Sequence, residues 1–150
     1  MSVTDPPLDQ LDRTIVDALR RDGRQSIPAL ASEVGTSRAT AYARFDRLVD
    51  AGVISGFTAT VDPSALGLGV AALLMVTGNQ NEWSSIADQL RATYGVEWVG
   101  LGAGQFDFAL LVRARDLQEL RDVVLDGLLR VSGIANIQTT VLLDEFGSMS

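Results

Sequence analysis

The spacing of apolar residues changes once along this chain, and the change restricts the folds open to it. Up to Gly52, apolar residues recur at intervals of three and four, which is typical of amphipathic helices. Beyond it, Phe57, Ala59 and Val61 alternate with polar residues, which is typical of strands. Asp62-Pro63-Ser64 then interrupts the pattern. We therefore predict one domain over residues 1–61, a linker over 62–67 and a second domain over 68–150.

The first domain is predicted to contain three helices. Apolar spacing places the first at about residues 8–21. Ser26 and Ser37 are typical N-cap residues for the second helix and the third. Gly35 between them is typical of a helix end, so a tight turn joins the two. This is a helix-turn-helix layout, and a ribbon over residues 53–61 would make it a winged helix-turn-helix domain.

The second domain is predicted to alternate strands and helices in the order βαββαβ. This order is typical of a ferredoxin-like sandwich and gives the whole chain an α+β fold. The predicted strands are Leu68–Thr77, Val96–Leu101, Phe106–Val112 and Ile134–Phe146, with helices starting at Trp83 and Asp116. The second of these helices is expected to bury Leu117, Leu120, Val124 and Leu128.

The predicted first strand of this domain is apolar on both faces, since Leu74 and Val76 alternate with Leu73 and Met75. Helices cover only one face of a ferredoxin-like sheet. A large exposed apolar patch is a liability, so the other face needs a second cover. We therefore expect the sheet to pack face to face with the sheet of another copy.

The net charge of −7 is unevenly distributed. From Arg20 to Arg47 the chain carries six arginines and three acidic residues, whereas from Val61 onward it carries five arginines and eleven acidic residues. Binding responds to charge within a Debye length of about 8–10 Å, so a basic face can work on an acidic protein. The first domain therefore remains a candidate for binding nucleic acid.

The composition argues against several function classes. The chain has no Cys and no His, and every basic residue is Arg. It offers no thiolate or imidazole ligand for a metal and no nucleophile beside a common general base, so we expect neither an enzyme nor a cofactor. We also see no signal peptide and no apolar stretch long enough to span a membrane, and expect a soluble, cytoplasmic protein.

Spaced residue motifs extend over nearly the whole chain. In the first domain they are Leu8-Asp9-x-x-Asp12-Arg13-x-Ile15, Asp22-Gly23-Arg24, Leu30-Ala31, Ser37-x-x-Thr40, Arg44-x-x-Arg47-Leu48, Gly52-Val53-Ile54-x-Gly56-Phe57 and Val61-Asp62-Pro63-x-x-Leu66-Gly67. In the second domain, Gly104-Gln105-Phe106-Asp107-Phe108 has the pattern of a glycine-x-aromatic-aspartate hairpin. These motifs and their spacing resemble the Lrp/AsnC, or feast/famine, family of regulators. The sequence departs from the family at Ala41 and Phe45, usually β-branched, and at Ile137, often threonine.

The resemblance implies a sequence-specific DNA-binding transcriptional regulator. Members of the family are homodimers, commonly assembled into octamers. Their first domains bind double-stranded DNA at semi-palindromic or AT-rich sites, and their second domains bind amino acids or related metabolites at a subunit interface. Two other functions stay open on the residues alone: a low-specificity architectural protein that bridges DNA, and a metabolite-binding subunit whose helical domain binds a protein.

The residues expected to read DNA bases lie early in the third helix. In a helix-turn-helix domain this helix enters the major groove with its N-terminal turn against base edges. We expect Arg38, Thr40 and Tyr42 to contact bases, because they are not needed for the helix core. Ser37 caps the helix beside amides that can meet a phosphate.

Three further arginines are expected to neutralise phosphates and so position the domain without reading sequence. They are Arg24, Arg44 and Arg47. For the last two an alternative stays open, in which they pair with Asp46 and Asp50 on a solvated face of the helix.

By resemblance, the effector pocket lies where the hairpin after the second strand meets another dimer, beside the last strand. The hairpin glycines let backbone amides approach a ligand carboxylate, and Asp107 could receive an ammonium group. The alternative is an ordinary hairpin turn without a ligand. The predicted effector residues are Gly102, Gly104, Gln105, Phe106, Asp107, Thr139 and Thr140.

Overall fold

The computed structural model of the protein describes residues 7–145. Contacts divide the chain into two compact units, Met1–Thr60 and Val61–Ser150. The described part of the first unit forms three helices, and the second unit combines helices with one sheet, which confirms the predicted α+β class. The last strand ends at Leu142, so the prediction that it continues through residues 143–145 is wrong, and its predicted end at Phe146 lies outside the described residues.

The first unit consists of α1 (Gln10–Arg21), α2 (Ile27–Glu33) and α3 (Arg38–Asp50). Each helix starts at a polar cap: the side chains of Asp9, Ser26 and Ser37 accept backbone N–H groups of the first turn. Gly35 ends α2 at φ +71°, in the left-handed region that favours glycine. The three predicted helices and the tight turn between α2 and α3 are therefore confirmed.

The three helices pack around a small apolar core. Phe45 is half-buried against this core, and Ala41 is fully buried, so both face inward. Burying one such large side chain contributes roughly 1.5–3 kcal/mol. The core residues are Ile15, Ala18, Leu19, Leu30 and Leu48.

The ribbon predicted over residues 53–61 is wrong, because no strand forms there in the described chain. The Ile54 N–H donates to the Leu48 carbonyl over 3.0 Å, so the residues after α3 complete the end of that helix. That N–H is therefore not available to pair with the extended stretch that follows. Phe57 of that stretch stacks instead on Phe45, with ring centroids 6.2 Å apart.

The second unit contains β1 (Val70–Gly78), α4 (Trp83–Ala92), β2 (Val96–Leu101), β3 (Phe108–Ala114), α5 (Leu117–Asp122) and β4 (Ile134–Leu142). The strands form one antiparallel sheet in the order β2-β3-β1-β4. This order confirms the predicted ferredoxin-like sandwich. After Asp122 the helix widens into a π turn at Val123–Gly127 and ends in a 3-10 turn at Leu128–Arg130.

The helices cover one face of this sheet and form its core with it. The core residues are Ala72, Leu74, Val76, Ile86, Leu90, Phe108, Leu110, Val112, Ala114, Leu120, Val123, Leu128 and Val131. The inner face predicted for α5 is partly wrong, because Leu117 is 62% exposed. The helix starts at an Asp116 cap, so Leu117 is its first residue and stays exposed at the helix end, whereas Leu120 one turn later is buried.

On the opposite, open face of the sheet, some apolar side chains are buried and others are only half-buried. Ala71 and Leu111 on this face are buried, whereas Leu73 and Met75 are only half-buried. The Trp98 ring lies across Gly100, so close that a Cβ at position 100 would be 2.3 Å from it. Apolar side chains on this face thus remain partly uncovered in the single chain.

Candidate nucleic-acid interface and ligand site

The first turn of α3 presents a polar surface. The Ser37 Oγ accepts the Thr40 N–H over 3.1 Å and shares a hydrogen bond of 2.8 Å with the Thr40 hydroxyl. Arg38 and Tyr42 are exposed. The turn before α3 is closed by the Thr36 N–H, which donates to the Ala31 carbonyl over 2.9 Å. The predicted base-reading residues therefore lie together on one short, well-capped stretch.

Further along α3, two arginines bind two carboxylates of α1. Arg44 Nη1 donates to Asp9 Oδ2 over 2.5 Å and to Asp12 Oδ1 over 3.0 Å. Arg47 Nη2 donates to Asp12 Oδ2. Asp12 is fully buried. We call Asp9, Asp12, Arg44 and Arg47 the ion cluster.

Asp9 and Asp12 also cap α1 reciprocally. Asp9 Oδ1 accepts the Asp12 N–H and Asp12 Oδ2 accepts the Asp9 N–H, each over 2.9 Å. The hydrogen bond from the Asp12 backbone, followed by that from Arg44, holds the pKa of Asp9 below its ordinary value. The carboxylates of Asp9 and Asp12 in turn raise the pKa of Arg44. Asp9 and Arg44 are therefore both ionised at neutral pH.

The ion cluster corrects the alternative considered for Arg44 and Arg47. Both arginines are paired, but their partners lie on α1 and are not Asp46 and Asp50. Asp12 accepts hydrogen bonds from both arginines of the cluster, and it was not among the predicted site residues. The spacing Asp9-x-x-Asp12 before an apolar run is the signal that could have identified it, because this spacing is typical of a reciprocal helix cap.

The remaining predicted DNA contact in the first unit is Arg24. It is exposed, and like Arg38 it forms no ion pair within residues 7–145. Arg21, by contrast, pairs with Glu33 over 2.7 Å. Within residues 7–145, Arg24 and Arg38 therefore keep guanidinium groups without an ion pair, whereas Arg44 and Arg47 are each bound to carboxylates of α1.

In the second unit, the hairpin between β2 and β3 is fastened to β1 by Asp107. Its carboxylate Oδ2 accepts the Gly78 N–H over 2.8 Å, and its own N–H donates to the Val76 carbonyl over 2.9 Å. The Gly102 N–H closes the hairpin on the Asp107 carbonyl over 2.8 Å. These bonds draw Asp107 toward β1, so β3 begins at Phe108 and the predicted start at Phe106 is wrong.

The two hairpin glycines, Gly102 and Gly104, differ in the space available to an added side chain. Gly104 has φ +152°, which a side chain disfavours, and no atom lies within 4 Å of an added Cβ. At Gly102 an added Cβ would make ordinary contact with the Phe106 carbonyl at 3.5 Å. Both positions leave the backbone open to an approaching group. Gln105 beside them is exposed and Phe106 is half-buried.

Thr139 and Thr140 are not brought to the hairpin within one chain. They lie on β4 opposite Leu74 and Leu73, whereas Asp107 is bound at the level of Val76 and beyond. Thr139 is therefore two residues, about 7 Å along the strand, from that level. The two threonines also lie on opposite faces of the sheet. A site containing all seven predicted effector residues needs groups from more than one chain.

An open cleft of about 490 Å³ lies elsewhere, where the end of α4 meets the start of α5. Sequence reasoning missed it. Two of its charged groups, Arg115 and Glu119, are paired with each other: the Arg115 N–H and guanidinium hold the pKa of Glu119 down, and Glu119 raises the pKa of Arg115. The lining residues are Thr93, Tyr94, Arg115, Asp116, Gln118, Glu119, Asp122, Val123 and Gly127.

The described chain shows neither a metal-ligating cluster nor a membrane-spanning helix. Within residues 7–145, no group of three or more carboxylates or other ligating side chains could hold a metal ion. Over the same residues, no helix has the length and apolar character needed to cross a bilayer.

A helix-turn-helix unit with a polar, capped third helix, followed by a ferredoxin-like unit, defines a class of DNA-binding regulator with a separate second domain. Family models agree with both parts. The AsnC-type helix-turn-helix domain matches residues 8–49, and the Lrp/AsnC ligand binding domain matches residues 71–149. The chain belongs to the Lrp/AsnC family of transcriptional regulators.

Individual relatives cover almost the whole chain. The HTH-type transcriptional regulator AldR of Mycobacterium tuberculosis is 37% identical over 140 residues, which are 91% of this chain and 78% of AldR. The transcriptional regulator NMB0573 of Neisseria meningitidis, in complex with L-Met, has a TM-score of 0.86 at 26% identity and covers 94% and 93% of the two chains. The feast or famine regulatory protein of M. tuberculosis, complexed with L-methionine, has a TM-score of 0.86 at 29% identity, with coverage of 95% and 96%.

Proposed function

We propose that this regulator binds specific operator sequences through α3, and that an amino acid held at an interface between subunits modulates the binding. The observation that carries the DNA part is the capped first turn of α3, which leaves Arg38 exposed and without an ion pair in the described chain. Arg38, Thr40 and Tyr42 then contact bases in the major groove. Ser37 and Arg24 hold the flanking phosphates.

Arg38→Ala tests this assignment. Loss of a base-reading arginine weakens binding to the preferred duplex by about 1–3 kcal/mol and relaxes its specificity. Arg24→Ala, which removes a phosphate contact, lowers the slope of log affinity against log salt by about 0.9. Arg91→Ala in α4 removes the same charge and is the matched control. Unchanged affinity of Arg38→Ala would favour a protein partner for the helical unit instead.

An amino-acid effector is supported by the L-methionine complexes of two structural neighbours and by the exposed hairpin glycines. Gly102→Ala tests the site, because the isolated chain accommodates the added Cβ at 3.5 Å from its nearest neighbour. We expect titration calorimetry with L-methionine and the other amino acids to detect binding to the wild type, and Gly102→Ala to weaken it. Ala103→Ser is the control, and wild-type affinity in Gly102→Ala would remove the hairpin from the site.

The same proposal includes assembly into homodimers, and of dimers into an octamer. Its support is the partly uncovered apolar side chains on the open face of the sheet, including Leu73 and Met75. Sedimentation at micromolar concentration should detect no monomer, and a monomer alone would contradict the assembly.

We propose no catalytic activity for the protein. Genome-wide mapping of bound sites, with and without amino acids, separates a specific regulator from an architectural protein. A few strong sites whose occupancy responds to one amino acid are expected. Uniform coverage of the genome would favour the architectural alternative.

A further inference from the structure

We propose that Asp12 is a positioning residue for DNA recognition: it fixes the orientation of α3 through Arg44 and Arg47, and these two arginines do not contact phosphate. The inference rests on the proposed binding of DNA by α3. It also reassigns two residues whose sequence pattern indicated phosphate contacts.

The burial of Asp12 carries the first step. Asp12 is fully buried, and its carboxylate accepts one backbone N–H and two guanidinium groups. A carboxylate removed from water is tolerated only when paired and hydrogen-bonded. If both Arg44 and Arg47 turned toward phosphates, this charge would lose its two ionic partners. The two arginines are therefore committed to α1.

The direction of the two arginines gives the second step. At about 100° per residue, Arg38 and Tyr42 lie roughly 120–180° around the α3 axis from Arg44 and Arg47. The arginine pair thus faces α1 while Arg38 and Tyr42 face away from it; Thr40, at roughly 20–40° from the pair, lies on the side of the helix toward α1. Two guanidinium groups one turn apart, both held by Asp12, prevent α3 from rotating about its axis or sliding along α1. Apolar contacts alone restrain such motions weakly, because they are not directional.

Two interpretations of the ion cluster predict opposite changes in DNA affinity for Asp12→Asn. If Asp12 merely masked two phosphate-binding arginines, its neutralisation would free them, tighten binding to DNA and steepen the salt dependence. If Asp12 positions α3, its neutralisation loosens the helix and weakens binding, although the protein becomes more basic. Asp17→Asn is the matched control, since Asp17 is exposed on the same helix and its loss changes the net charge equally.

The probe is the duplex that full-length wild-type protein selects from a random-sequence pool. We expect Asp12→Asn to bind this duplex about tenfold more weakly than Asp17→Asn, because a recognition site tolerates displacements of only about 0.5 Å. The salt slope should equal that of Asp17→Asn, since no phosphate contact is lost. Circular dichroism at the binding temperature verifies that α1–α3 remain folded. Affinity equal to or tighter than that of Asp17→Asn, or a steeper slope, would overturn the proposal.

Arg47→Lys keeps the inference testable if Asp12→Asn does not fold. Lysine retains the charge but lacks the planar guanidinium that bonds Asp12, so we expect weaker binding with an unchanged slope. Wild-type affinity in this variant would overturn the proposal. Wild-type protein that binds no duplex would instead remove the proposed function and this inference together, whereas wild-type binding with Asp12→Asn equal to Asp17→Asn removes the inference only.

Discussion

The two units of this regulator fasten their elements by different interactions. In the first unit, α3 is attached to α1 by a small apolar core and by the buried carboxylate of Asp12 with its two guanidinium partners. In the second, the helices are attached to the sheet by a larger set of fully buried apolar side chains, with Phe108 the largest. Charged hydrogen bonds depend on angle and distance, whereas apolar burial depends mainly on area. The difference indicates that the first unit holds a helix at a set angle and the second provides a stable platform.

The largest expected effect tests how much the apolar core stabilises the second unit. Phe108→Ala should destabilise the second unit by about 3–5 kcal/mol, because it removes a fully buried ring from the core and leaves a cavity. Urea unfolding followed by hydrogen exchange of the sheet amides measures it. Leu101→Ala, at a position 61% exposed on β2, is the control and should change stability little. A cost for Phe108→Ala below about 1 kcal/mol would contradict the role given to the apolar core.

A smaller effect tests how much a polar helix cap stabilises the first unit. Ser37→Ala removes the side-chain oxygen that accepts the Thr40 N–H and should destabilise the first unit by about 1 kcal/mol. Thermal unfolding monitored by helical circular dichroism measures the loss. Ser32→Ala, at an exposed position of α2, is the matched control. Equal melting temperatures in the two variants would show that the cap does not stabilise α3.

The smallest expected effect concerns an ion pair of the second unit. Arg113 donates two hydrogen bonds to Glu145, of 2.6 and 3.0 Å, and thereby holds the pKa of that carboxyl below its ordinary value of 4.5. The stabilisation is therefore present above pH 4.5 and is lost as the pH falls through the lowered pKa. Glu145→Gln should destabilise the unit at pH 7 by less than about 1 kcal/mol.

The measurement is the urea midpoint of wild type and Glu145→Gln between pH 7 and pH 3. The difference between the two proteins should shrink on acidification below pH 4.5. Asp122→Asn, at an exposed position, is the control and should track the wild type. A difference that grows toward acid pH would have the wrong sign for a carboxyl with a lowered pKa.

The sequence predicted best those structural features that depend only on short segments of the chain. Ser26 and Ser37 cap the helices they were expected to cap, and Gly35 has the left-handed conformation that its place after α2 indicated. The order of strands and helices in the second unit also followed from local patterns. These features depend on neighbours within a few residues, so a single sequence contains most of the information.

Features that depend on distant partners were predicted poorly. Arg44 and Arg47 find carboxylates 32 to 35 residues away on α1, and helical spacing within α3 could not indicate this. The alternating stretch after Gly52 has the pattern of a strand, but a strand also needs a partner, which the described chain does not supply. The contact of the Asp107 carboxylate Oδ2 with the backbone of a strand 29 residues earlier was likewise not predicted.

The position of Trp98 has an optical consequence. Its indole lies over Gly100 on the open face and is 43% exposed, whereas Trp83, the other tryptophan of the chain, packs against the apolar core. Indole emission moves to shorter wavelength when water leaves its surroundings. The fluorescence of the unlabelled protein therefore reports directly on whether another surface has covered this side of the sheet, with Trp83 as a steady background.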